Sequence, residues 1–353
     1  MKIMNLMFSQ GRGGIEQAFV NSAHAIHNFS DFEQLCIIDQ KSTVENQLTI
    51  PAVKIRQFAD WDPIAIYQLH KLIQEFKPDL ILCHGNRPLK MTLRVKCFFG
   101  LVGTKIVGFC HNFSIKYLLK AGAIISVSKY ILENHLLKTG YDKEHAFHIP
   151  NMIELKDYQP IALKSRATPL VIGTMGRFVK KKGFEDYIKA IKILVDRGVN
   201  IKAILGGGGV EEYNLKILAA DLKLDNIVDF IGWVHDKRAF YQQLDLFCLP
   251  SREEPFGIIA LETLAYGMPM VATRTSGPLE FLVDGENAML CNHTDPTALA
   301  NAIEKMLVLS ESELHQLIDH GFTTVRQYDL RTVSQQLVTV LRKLNPNRAP
   351  FNS

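Results

Sequence analysis

Short apolar runs alternate with longer amphipathic stretches along the whole chain. Each apolar run is short and bounded by polar or glycine residues, as buried strands are, whereas the stretches between them carry an apolar face with the period of a helix. Buried strands joined by helices form parallel sheets covered on both faces. The pattern therefore predicts an α/β fold.

The first half of the chain contains six predicted strands and four predicted helices. One helix start is marked by Asp62 followed by Pro63, a capping residue with proline at the first helical position. The predicted strands cover residues 3–8, 34–38, 80–83, 105–110, 123–127 and 146–149, and the predicted helices cover 15–27, 63–76, 89–99 and 129–138.

The pattern restarts after a polar, proline-flanked stretch at 156–169, which we interpret as a linker. A length of 353 residues suits two domains. We expect Rossmann-like domains at 1–160 and 161–328, and a helix and tail at 329–353 that pack back on the first domain. Two sheets facing one another give a cleft at their strand ends. Predicted strands are 170–175, 201–205, 227–230, 244–249 and 270–273; predicted helices are 183–196, 211–222, 258–266, 296–309, 312–321 and 330–344.

The positive charge of the chain is concentrated in its first half. Residues 1–160 hold 18 Lys/Arg against 14 Asp/Glu, and the rest holds 22 of each. Eight cations and several apolar side chains, Met91, Leu93, Val95, Phe98 and Phe99 among them, lie between Asp79 and Glu133 without an acid. A basic, apolar helix on the surface favours an anionic membrane face; an ordinary solvated helix is the alternative. Nucleic acid is a less suitable partner.

Two carboxylates accompany a predicted strand-to-helix loop in the second half. Glu254 lies in the loop and Glu262 one to two turns into the helix, among apolar neighbours. The backbone N–H groups of Phe256 to Ile259 open that helix and can receive phosphate or sugar oxygens. A buried carboxylate needs hydroxyl or cationic partners, so Glu262 suits a ribose diol. The alternative is that Glu262 pairs with a basic side chain and Glu254 is solvated.

Glycines and cations follow the first strand of the second half, at 173–183. Arg177 and Lys182 bracket this loop and are placed to stabilise a departing diphosphate without a metal, although Lys180 to Lys182 also fit a solvated charge run. Weaker signals are the glycines at 11–14 and 206–209, and two histidines at strand ends, His111 and His84.

Metal sites are not expected. The triplet Asp60-Trp61-Asp62 is better explained as a helix cap than as a metal ligand pair. The six cysteines stand singly without a C-x-x-C pair, which indicates reduced, buried thiols. No apolar run is long enough to cross a bilayer.

Together these segments resemble glycosyltransferase family 4, the retaining enzymes of the GT-B fold. Glu254-Pro255-Phe256-Gly257 through Glu262 is similar to the E-x7-E motif of that family, and Gly176-Arg177-Phe178 through Lys182-Gly183 to its G-R-[LF]-x3-K-G segment. Further similarities are Gly13-Gly14, Ser126 and Ser128, Pro150-Asn151, and Gly277 through Asn287.

The resemblance implies the role of each residue. Glu254, His111, Arg177 and Lys182 would be catalytic: Glu254 on the hydroxyls of the donor sugar, His111 on the reacting face, and the two cations on the diphosphate. Glu262 would hold the ribose. The donor-binding set implied is Gly13, Gly14, Arg177, Lys182, Gly207, Val234, Pro255, Phe256, Gly257, Ile258 and Glu262, with no metal.

The expected activity is transfer of a hexose-type sugar, with retention, from a nucleoside diphosphate-sugar to a glycan or lipid-linked acceptor, in lipopolysaccharide or other surface-glycan synthesis. The first domain would take the acceptor and the second the donor. We expect no cofactor beyond the donor, and a cytoplasmic enzyme held peripherally on the inner membrane. The alternatives are a nucleotide-sugar 2-epimerase of the same fold and a dinucleotide oxidoreductase; the latter lacks an ordered G-x-G-x-x-G.

Overall fold

The computed structural model describes residues 1–11, 13–163 and 168–345. The chain divides into two compact units. Unit 1 consists of residues 1–154 and 328–353, and unit 2 of residues 155–327.

Unit 1 is built on a seven-stranded parallel sheet. Its strands have the order β3-β2-β1-β4-β5-β6-β7. The inner strands are buried on both faces, as expected of a parallel sheet covered by helices. The strands are β1 (Lys2–Met7), β2 (Glu33–Asp39), β3 (Ala52–Ile55), β4 (Leu80–His84), β5 (Lys105–Cys110), β6 (Ala123–Ser126) and β7 (Ala146–His148).

Three long helices of unit 1 connect these strands: α1 (Gly14–Phe29), α2 (Pro63–Phe76) and α3 (Asn86–Phe99). The stretch predicted as one helix at 129–138 is instead broken into a short α-helix, α4 (Lys129–Ile131), a π-turn and a 3₁₀ turn. Ser128 caps its start, with its hydroxyl accepting from the N–H of Ile131 at 3.2 Å.

Unit 2 is built on a six-stranded parallel sheet with the order β10-β9-β8-β11-β12-β13. Its strands are β8 (Leu170–Arg177), β9 (Ile201–Gly208), β10 (Val228–Gly232), β11 (Leu246–Leu249), β12 (Met270–Thr273) and β13 (Met289–Cys291). Its helices are α5 (Phe184–Asp196), α6 (Glu212–Asp221), α7 (Lys237–Tyr241), α8 (Ile258–Ala265), α9 (Pro296–Leu307) and α10 (Glu311–Arg326).

The last helix, α11 (Leu330–Leu344), belongs to unit 1. Its apolar face packs with Ile26 of α1 and with Ile3 and Leu80 of the sheet. Strong amphipathicity makes this possible: Val333, Leu337 and related positions at helical spacing are buried while the polar side chains stay outside. The tail at 346–353 lies outside the described residues.

The boundaries between the units differ by a few residues from the predicted ones. Unit 2 begins at Leu155 rather than residue 161, because the segment after it is fixed to unit 2: the N–H of Ile161 donates to the carbonyl of Tyr266 at 2.8 Å. The second crossing lies between Gln327 and Tyr328, one residue before the predicted position. Residues 164–167 of the predicted linker lie outside the described residues.

Candidate active site

The two sheets have the same strand order, and each has one point where that order reverses. In unit 1 this point lies between β1 and β4, and in unit 2 between β8 and β11. The loops that leave two such strands at their carboxyl ends diverge to opposite faces and leave a crevice where ligands bind. Most of the predicted site residues of unit 2 lie at the ends of β8 and β11 or in the loops that follow, so the topology brings these residues together; Gly207 and Val234 lie instead in β9 and after β10.

Lys182 and Glu254 form an ion pair at the crevice of unit 2. Lys182 lies in the loop after β8 and is 24% exposed, and Glu254 lies in the loop after β11 and is buried. The hydroxyl of Ser251 donates to the same carboxylate oxygen at 3.3 Å. Glu254 is therefore not a solvated loop residue, and one charged pair joins the two loops that the sequence singled out.

The backbone holds these two loops at close contact. The N–H of Arg252 donates to the carbonyl of Lys181 at 2.8 Å. Gly183 has φ +67°, and a Cβ there would lie 1.9 Å from the carbonyl oxygen of Pro250. Only glycine fits both the left-handed conformation and this approach.

A second ion pair joins the loop after β11 to helix α5. The guanidinium of Arg252 donates to both carboxylate oxygens of the buried Asp186 on α5, each at 2.7 Å, and to Glu185 at 3.2 Å. Such a bidentate pair fixes orientation as well as distance. No role was predicted for Arg252, because its partner lies 66 residues away in the sequence.

The other cations of the β8 loop point to solvent. Arg177 ends β8 and is exposed, with no ion pair to any of the described residues. Lys180 is exposed too, and Lys181 is half exposed and lies 3.7 Å from Glu253. The solvated interpretation thus applies to Lys180 and Lys181, whereas Lys182 is the cation built into the site.

Glu262 is buried on α8 and is held by two side chains. The ammonium of Lys237, at the start of α7, lies 2.6 Å from its Oε1, and the hydroxyl of Tyr158 lies 3.5 Å from the same oxygen. Burial, with the charge of Glu262 close by, raises the pKa of Tyr158, so the phenol stays protonated and serves as a donor. Pairing with a basic side chain, the alternative in the sequence analysis, is thus observed; Lys237 itself was missed.

The N-terminus of α8 is formed by four of the predicted donor-binding residues. Pro255 is half-buried, and Phe256, Gly257 and Ile258 are buried; the ring of Phe256 packs on Phe281 with centroids 5.5 Å apart. The first N–H groups of any helix have no intrahelical acceptor and favour anions. This helix end begins four residues after Glu254 and belongs to the same loop.

Gly207 and Val234 are packed into the β9 side of unit 2. Gly207 is buried with φ +134°, and a Cβ there would lie 1.9 Å from the carbonyl oxygen of Gly176 on β8. Val234 is half-buried, and its Cγ2 lies over Gly206. Close strand packing explains the buried glycine.

Two histidines meet at the strand ends of unit 1. His84 ends β4 and His111 follows β5; both are buried, and His84 Nδ1 lies 3.1 Å from His111 Nε2. The hydroxyl of Ser22 on α1 lies 3.3 Å from His84 Nε2. Burial lowers the pKa of His111 to about 4 and that of His84 well below its usual value, so both rings are neutral near pH 7. Sequence reasoning gave His84 the lower priority and missed Ser22.

The glycine loop after β1 opens α1. Gly13 and Gly14 are exposed at the helix N-terminus, and the carbonyl of Gly13 accepts the N–H of Gln17 at 3.1 Å. Glu16, one turn in, is buried and hydrogen-bonded to the hydroxyl of Ser9. Arg12 of the same loop lies outside the described residues.

Asp62, Asn287 and Ser126 make structural hydrogen bonds. Asp62 caps α2 by accepting from the N–H groups of Ile64 and Ala65 at 3.0 and 3.3 Å. Asn287 is buried and ties its own turn to α10 through Thr324 at 2.9 Å. The Ser126 hydroxyl donates to the carbonyl of Ser128 at 2.8 Å.

The basic segment is less exposed than its sequence indicated. Met91 and Val95 belong to the core of unit 1, because α3 turns that face toward the sheet. Lys90 and Arg94 lie 3.1 and 3.5 Å from Asp60, so two of the eight cations are neutralised within the unit.

The exposed apolar residues of this region are found at the end of α3 and on α2. Phe98 is 68% and Phe99 45% exposed, and beyond them Val102 is fully exposed. Tyr67 and Ile64 on α2 are 50% and 68% exposed, and the rings of Tyr67 and Phe99 lie 6.4 Å apart. We call these five residues the aromatic patch.

Among the described residues, no three or more His, Cys, Asp or Glu side chains cluster as metal ligands do. Within the same ranges, the helices are all too short or too polar to qualify as a membrane span. Five of the six cysteines are buried; Cys97 on α3 is exposed.

The chemistry available in unit 2 is therefore anion and polyol recognition. A cation, two carboxylates with polar partners and a helix N-terminus are brought to one crevice, and such groups can stabilise developing negative charge without reorganisation. Unit 1 supplies neutral imidazoles, which exchange hydrogen bonds with hydroxyl groups.

Residues 156–322 match the family model of the group 1 glycosyl transferases. The chain is 37% identical over 180 residues to the lipopolysaccharide core biosynthesis glycosyltransferase LpsE of Rhizobium meliloti, an alignment that spans 51% of this chain and only about half, 52%, of that relative. It is 27% identical over 315 residues to LpsD of the same organism, described in the same words, across 87% of this chain and 88% of the relative.

The fold is shared with solved glycosyltransferase structures. Anabaena HepE, crystallised in complex with UDP and glucose, superposes with a TM-score of 0.84 at 20% identity over 97% of this chain and all of that one. That likeness establishes the GT-B fold of two Rossmann-like units. The chain thus combines this fold with a segment, residues 156–322, that matches the group 1 glycosyl transferases.

Proposed function

We propose that this protein is a retaining glycosyltransferase of family 4 that transfers a hexose-type sugar from a nucleoside diphosphate-sugar to a hydroxyl of a lipopolysaccharide core or other surface glycan. In the reaction the bond between the anomeric carbon and the phosphate oxygen breaks, and its electron pair leaves with the diphosphate. The acceptor oxygen forms the new bond on the same face, and its proton passes to the departing phosphate oxygen.

The observation that carries this proposal is the pairing of Lys182 with Glu254 where the loops after β8 and β11 meet. The ammonium is placed to bind the diphosphate as its charge grows, and the carboxylate to hold sugar hydroxyls. Both are pre-oriented by Ser251, Gly183 and Arg252, so little reorganisation accompanies charge development. Arg177, exposed and without an ion pair among the described residues, supplies a second cation.

A panel of nucleotide sugars tests the donor. UDP-, GDP- and ADP-linked hexoses are added singly, and the melting temperature of the protein is followed; a true donor raises it according to its affinity. Glu254→Gln should bind the nucleoside diphosphate but lose the additional stabilisation that the sugar gives. No stabilisation by any nucleotide sugar, with intact folded protein, would contradict the proposed donor class.

The alternative of a 2-epimerase is separated by incubating the stabilising donor without an acceptor. A transferase leaves the sugar configuration unchanged and releases nucleoside diphosphate slowly, through hydrolysis. An epimerase produces a new nucleotide sugar or its free sugar at full rate. Transfer itself is followed as nucleoside diphosphate release with acceptor glycan, and retention is checked by the anomeric coupling in the product.

Two side-chain cations, Lys182 and Arg177, make a divalent metal unnecessary in this proposal. Activity should therefore persist in EDTA and should not rise on adding Mg²⁺ or Mn²⁺. The Arg177→Ala and Lys182→Ala variants should each lose on the order of 10²-fold in rate. Normal turnover of both variants, or loss of wild-type activity in EDTA, would contradict metal-free stabilisation of the leaving group.

The aromatic patch supports a peripheral site on the cytoplasmic face of an inner membrane. Its rings lie beside cations: Lys71 lies 5.2 Å from the ring centroid of Tyr67, and Lys96 is exposed one turn before Phe99. Aromatic side chains with neighbouring lysines suit the interfacial region of an anionic bilayer, where rings enter and ammonium groups meet headgroups.

Flotation with vesicles tests this surface. Vesicles of phosphatidylglycerol and phosphatidylcholine should bind the protein, and pure phosphatidylcholine should bind it weakly; salt should reduce binding. Phe98→Ser combined with Phe99→Ser should reduce binding about tenfold or more, whereas Val308→Ser, at a position 79% exposed in unit 2, is the matched control. Equal binding to both vesicle types would remove the proposal.

A further inference from the structure

The ion pair of Lys182 with Glu254 joins an accessible cation to a shielded carboxylate. The side chain of Lys182 is 24% exposed, whereas that of Glu254 is 9% exposed. Both residues belong to unit 2 and lie in the loops that follow β8 and β11. An anion that enters this crevice from solvent therefore meets the ammonium group before the carboxylate, and the ammonium group is already engaged by a negative charge.

A single contact holds this pair, in contrast to the neighbouring pair of Arg252. The ammonium group of Lys182 bonds to Oε2 of Glu254. The guanidinium of Arg252 reaches both carboxylate oxygens of Asp186 and one of Glu185. An ammonium group on a flexible four-carbon stem can exchange one acceptor for another, whereas a bidentate guanidinium is fixed in direction. Lys182 can thus change its partner while Arg252 keeps its own.

The backbone at Lys182 is held by contacts that do not involve its side chain. The N–H of Lys182 donates to the carbonyl of Val179 at 2.9 Å. Gly183, the next residue, approaches the carbonyl of Pro250 too closely for any other residue type. An exchange of partners therefore requires rotation about the side-chain bonds of Lys182 and no movement of the loop.

Glu254 is left with little compensation when the ammonium group turns away. Among the described residues, the hydroxyl of Ser251, at 3.3 Å, is the other side-chain donor to its carboxylate. A shielded carboxylate that loses its cation is unfavourable unless new donors replace it. A diphosphate alone brings no such donors, whereas a diphosphate that carries a sugar brings hydroxyl groups.

We propose that Glu254 competes with bound diphosphate for Lys182, and that this competition makes unit 2 bind an intact nucleotide sugar in preference to the nucleoside diphosphate left after transfer. The exchange takes place on binding, before the bond to the sugar breaks. Lys182 returns to Glu254 as the spent diphosphate leaves. The inference rests on the proposed function for the identity of the sugar donor, but the competition for Lys182 applies to any diphosphate.

Calorimetric titration with inorganic pyrophosphate, UDP, GDP and ADP tests the competition. Glu254→Gln keeps the size of the side chain and offers Lys182 a neutral amide oxygen in place of a charged one. Removal of this acidic competitor should tighten binding of pyrophosphate, and of the preferred nucleoside diphosphate, by about tenfold, because a hydrogen bond to a neutral acceptor is easier to give up.

Glu253→Gln is the matched control, since it removes the same charge from the neighbouring position of the same loop. Glu253 is half exposed and lies 3.7 Å from Lys181. This variant should bind each diphosphate within about twofold of wild type. An equal gain in both variants would assign the effect to net charge, and no gain in Glu254→Gln would overturn the competition. Absence of diphosphate binding by wild type and variants alike would show that Lys182 receives no anion.

Direct repulsion between Glu254 and the anion is the rival explanation of a gain. Lys182→Met has a side chain of similar length without the ammonium group. In this background Glu254→Gln should change diphosphate affinity less than about twofold, because no cation remains to be released. A gain of about tenfold that persists there would establish repulsion and overturn the competition.

A crystal structure of the wild type with the bound nucleoside diphosphate gives a readout that does not depend on the Lys182→Met variant. The ammonium group of Lys182 should contact a phosphate oxygen and lie beyond about 4 Å, the limit of an ion pair, from Glu254. An ammonium group still paired with Glu254 in that complex would contradict the exchange.

The preference for the intact donor is measured by the ratio of two dissociation constants, that of the nucleoside diphosphate and that of its nucleotide sugar. Glu254→Gln should lower this ratio at least tenfold, since it tightens the first ligand without tightening the second. An unchanged ratio would remove Glu254 from the discrimination. Tighter pyrophosphate binding in Glu254→Gln, with no nucleotide sugar bound by any form, would refute the proposed function and keep the competition. A nucleotide sugar that is bound and transferred, without tighter diphosphate binding in Glu254→Gln, would do the reverse.

Discussion

The two units share a strand order, yet they equip the crevice at its reversal with different chemistry. In unit 2 the residues there are charged and paired: Lys182 with Glu254, and Lys237 with Glu262. In unit 1 the ends of β4 and of its neighbour β5 carry the neutral rings of His84 and His111. The backbone of each unit forms a crevice at the same point of its sheet, and the side chains there determine which ligand the unit can bind.

This difference follows from what each kind of group does when buried. A charged pair keeps its attraction for ions because each member compensates the other, but removing one member leaves an uncompensated charge. Neutral imidazoles have a smaller desolvation cost and recognise hydroxyl groups through the direction of a single proton. Unit 2 is thus suited to an anionic ligand and unit 1 to a neutral one.

The largest effect is expected from breaking the charged crevice. Lys182→Ala should reduce kcat/KM for the nucleotide sugar by about 10²- to 10³-fold, because a cation that stabilises the leaving group is lost. Lys181→Ala, one residue away and paired with the half-exposed Glu253, is the control and should stay within about threefold of wild type. Similar rates in both variants would remove Lys182 from the chemistry.

The ion pair between Arg252 and Asp186, which supports the loops of that crevice, can be removed without removing a proposed ligand contact. Arg252→Ala should lower the free energy of unfolding of unit 2 by about 2 kcal/mol, because the buried Asp186 loses both of its charge-assisted hydrogen bonds. Arg274→Ala, whose pair with Asp284 is exposed, should cost under about 1 kcal/mol.

Unit 2 can be followed alone in this experiment, since the two tryptophans lie one in each unit. With Trp61→Phe as background, denaturant unfolding monitored by Trp233 fluorescence reports on unit 2. Equal midpoints for the two arginine variants would show that the Asp186 pair does not brace the loops.

The pH dependence of the stability of unit 1 tests whether its two buried histidines are neutral. A histidine whose pKa is lowered by folding binds its proton more readily when unfolded, so stability is lost as pH falls below about 6.5. For His111 the loss continues to about pH 4, with a slope of about 1.4 kcal/mol per pH unit. His111→Gln should flatten that slope between pH 6.5 and 5.

Trp61 fluorescence in a Trp233→Phe background measures the unfolding of unit 1 at each pH. The quantity compared is the slope of the unfolding free energy against pH, because His111→Gln also changes the unfolding free energy itself. An unchanged slope in His111→Gln would mean that the ring is charged or exposed in the folded protein.

The smallest effect on donor affinity is expected from removing one of the two partners of Glu262, the hydroxyl of Tyr158. Tyr158→Phe removes a long contact of 3.5 Å and should change donor affinity less than about twofold, whereas Lys237→Met should weaken it about tenfold. Calorimetric titration with the nucleoside diphosphate measures both. A larger loss from Tyr158→Phe would assign the orientation of Glu262 to the phenol instead.

Local sequence patterns predicted the alternation of strands and helices and the charged loops of unit 2, because each of these patterns lies within one strand-loop-helix segment. Glu254 and Lys182 were found this way. What was missed depends on contacts distant in sequence: Lys237 meets Glu262 across 25 residues, and Ser22 meets His84 across 62. The edge strands β3 and β13, of four and three residues, are too short to show a period.

The surface of α3 illustrates a different failure. Composition counted Met91 and Val95 with the exposed aromatics because all lie in one basic segment. The helical period does not separate them, because Phe98 and Phe99 lie seven and eight residues after Met91 on the same face. They are exposed because they stand at the end of the helix, whereas Met91 and Val95 are buried in its middle.

The return of α11 to unit 1 makes that unit discontinuous in the chain. During synthesis residues 1–154 emerge first, but part of their apolar covering is encoded after residue 327. Until α11 has emerged from the ribosome, Ile3, Ile26 and Leu80 lack the partners that it brings. A nascent chain of this protein therefore exposes apolar surface on its first unit while the second unit is being translated. A chain truncated before residue 330 should keep that surface exposed, so we expect it to bind chaperones instead of folding to an active protein.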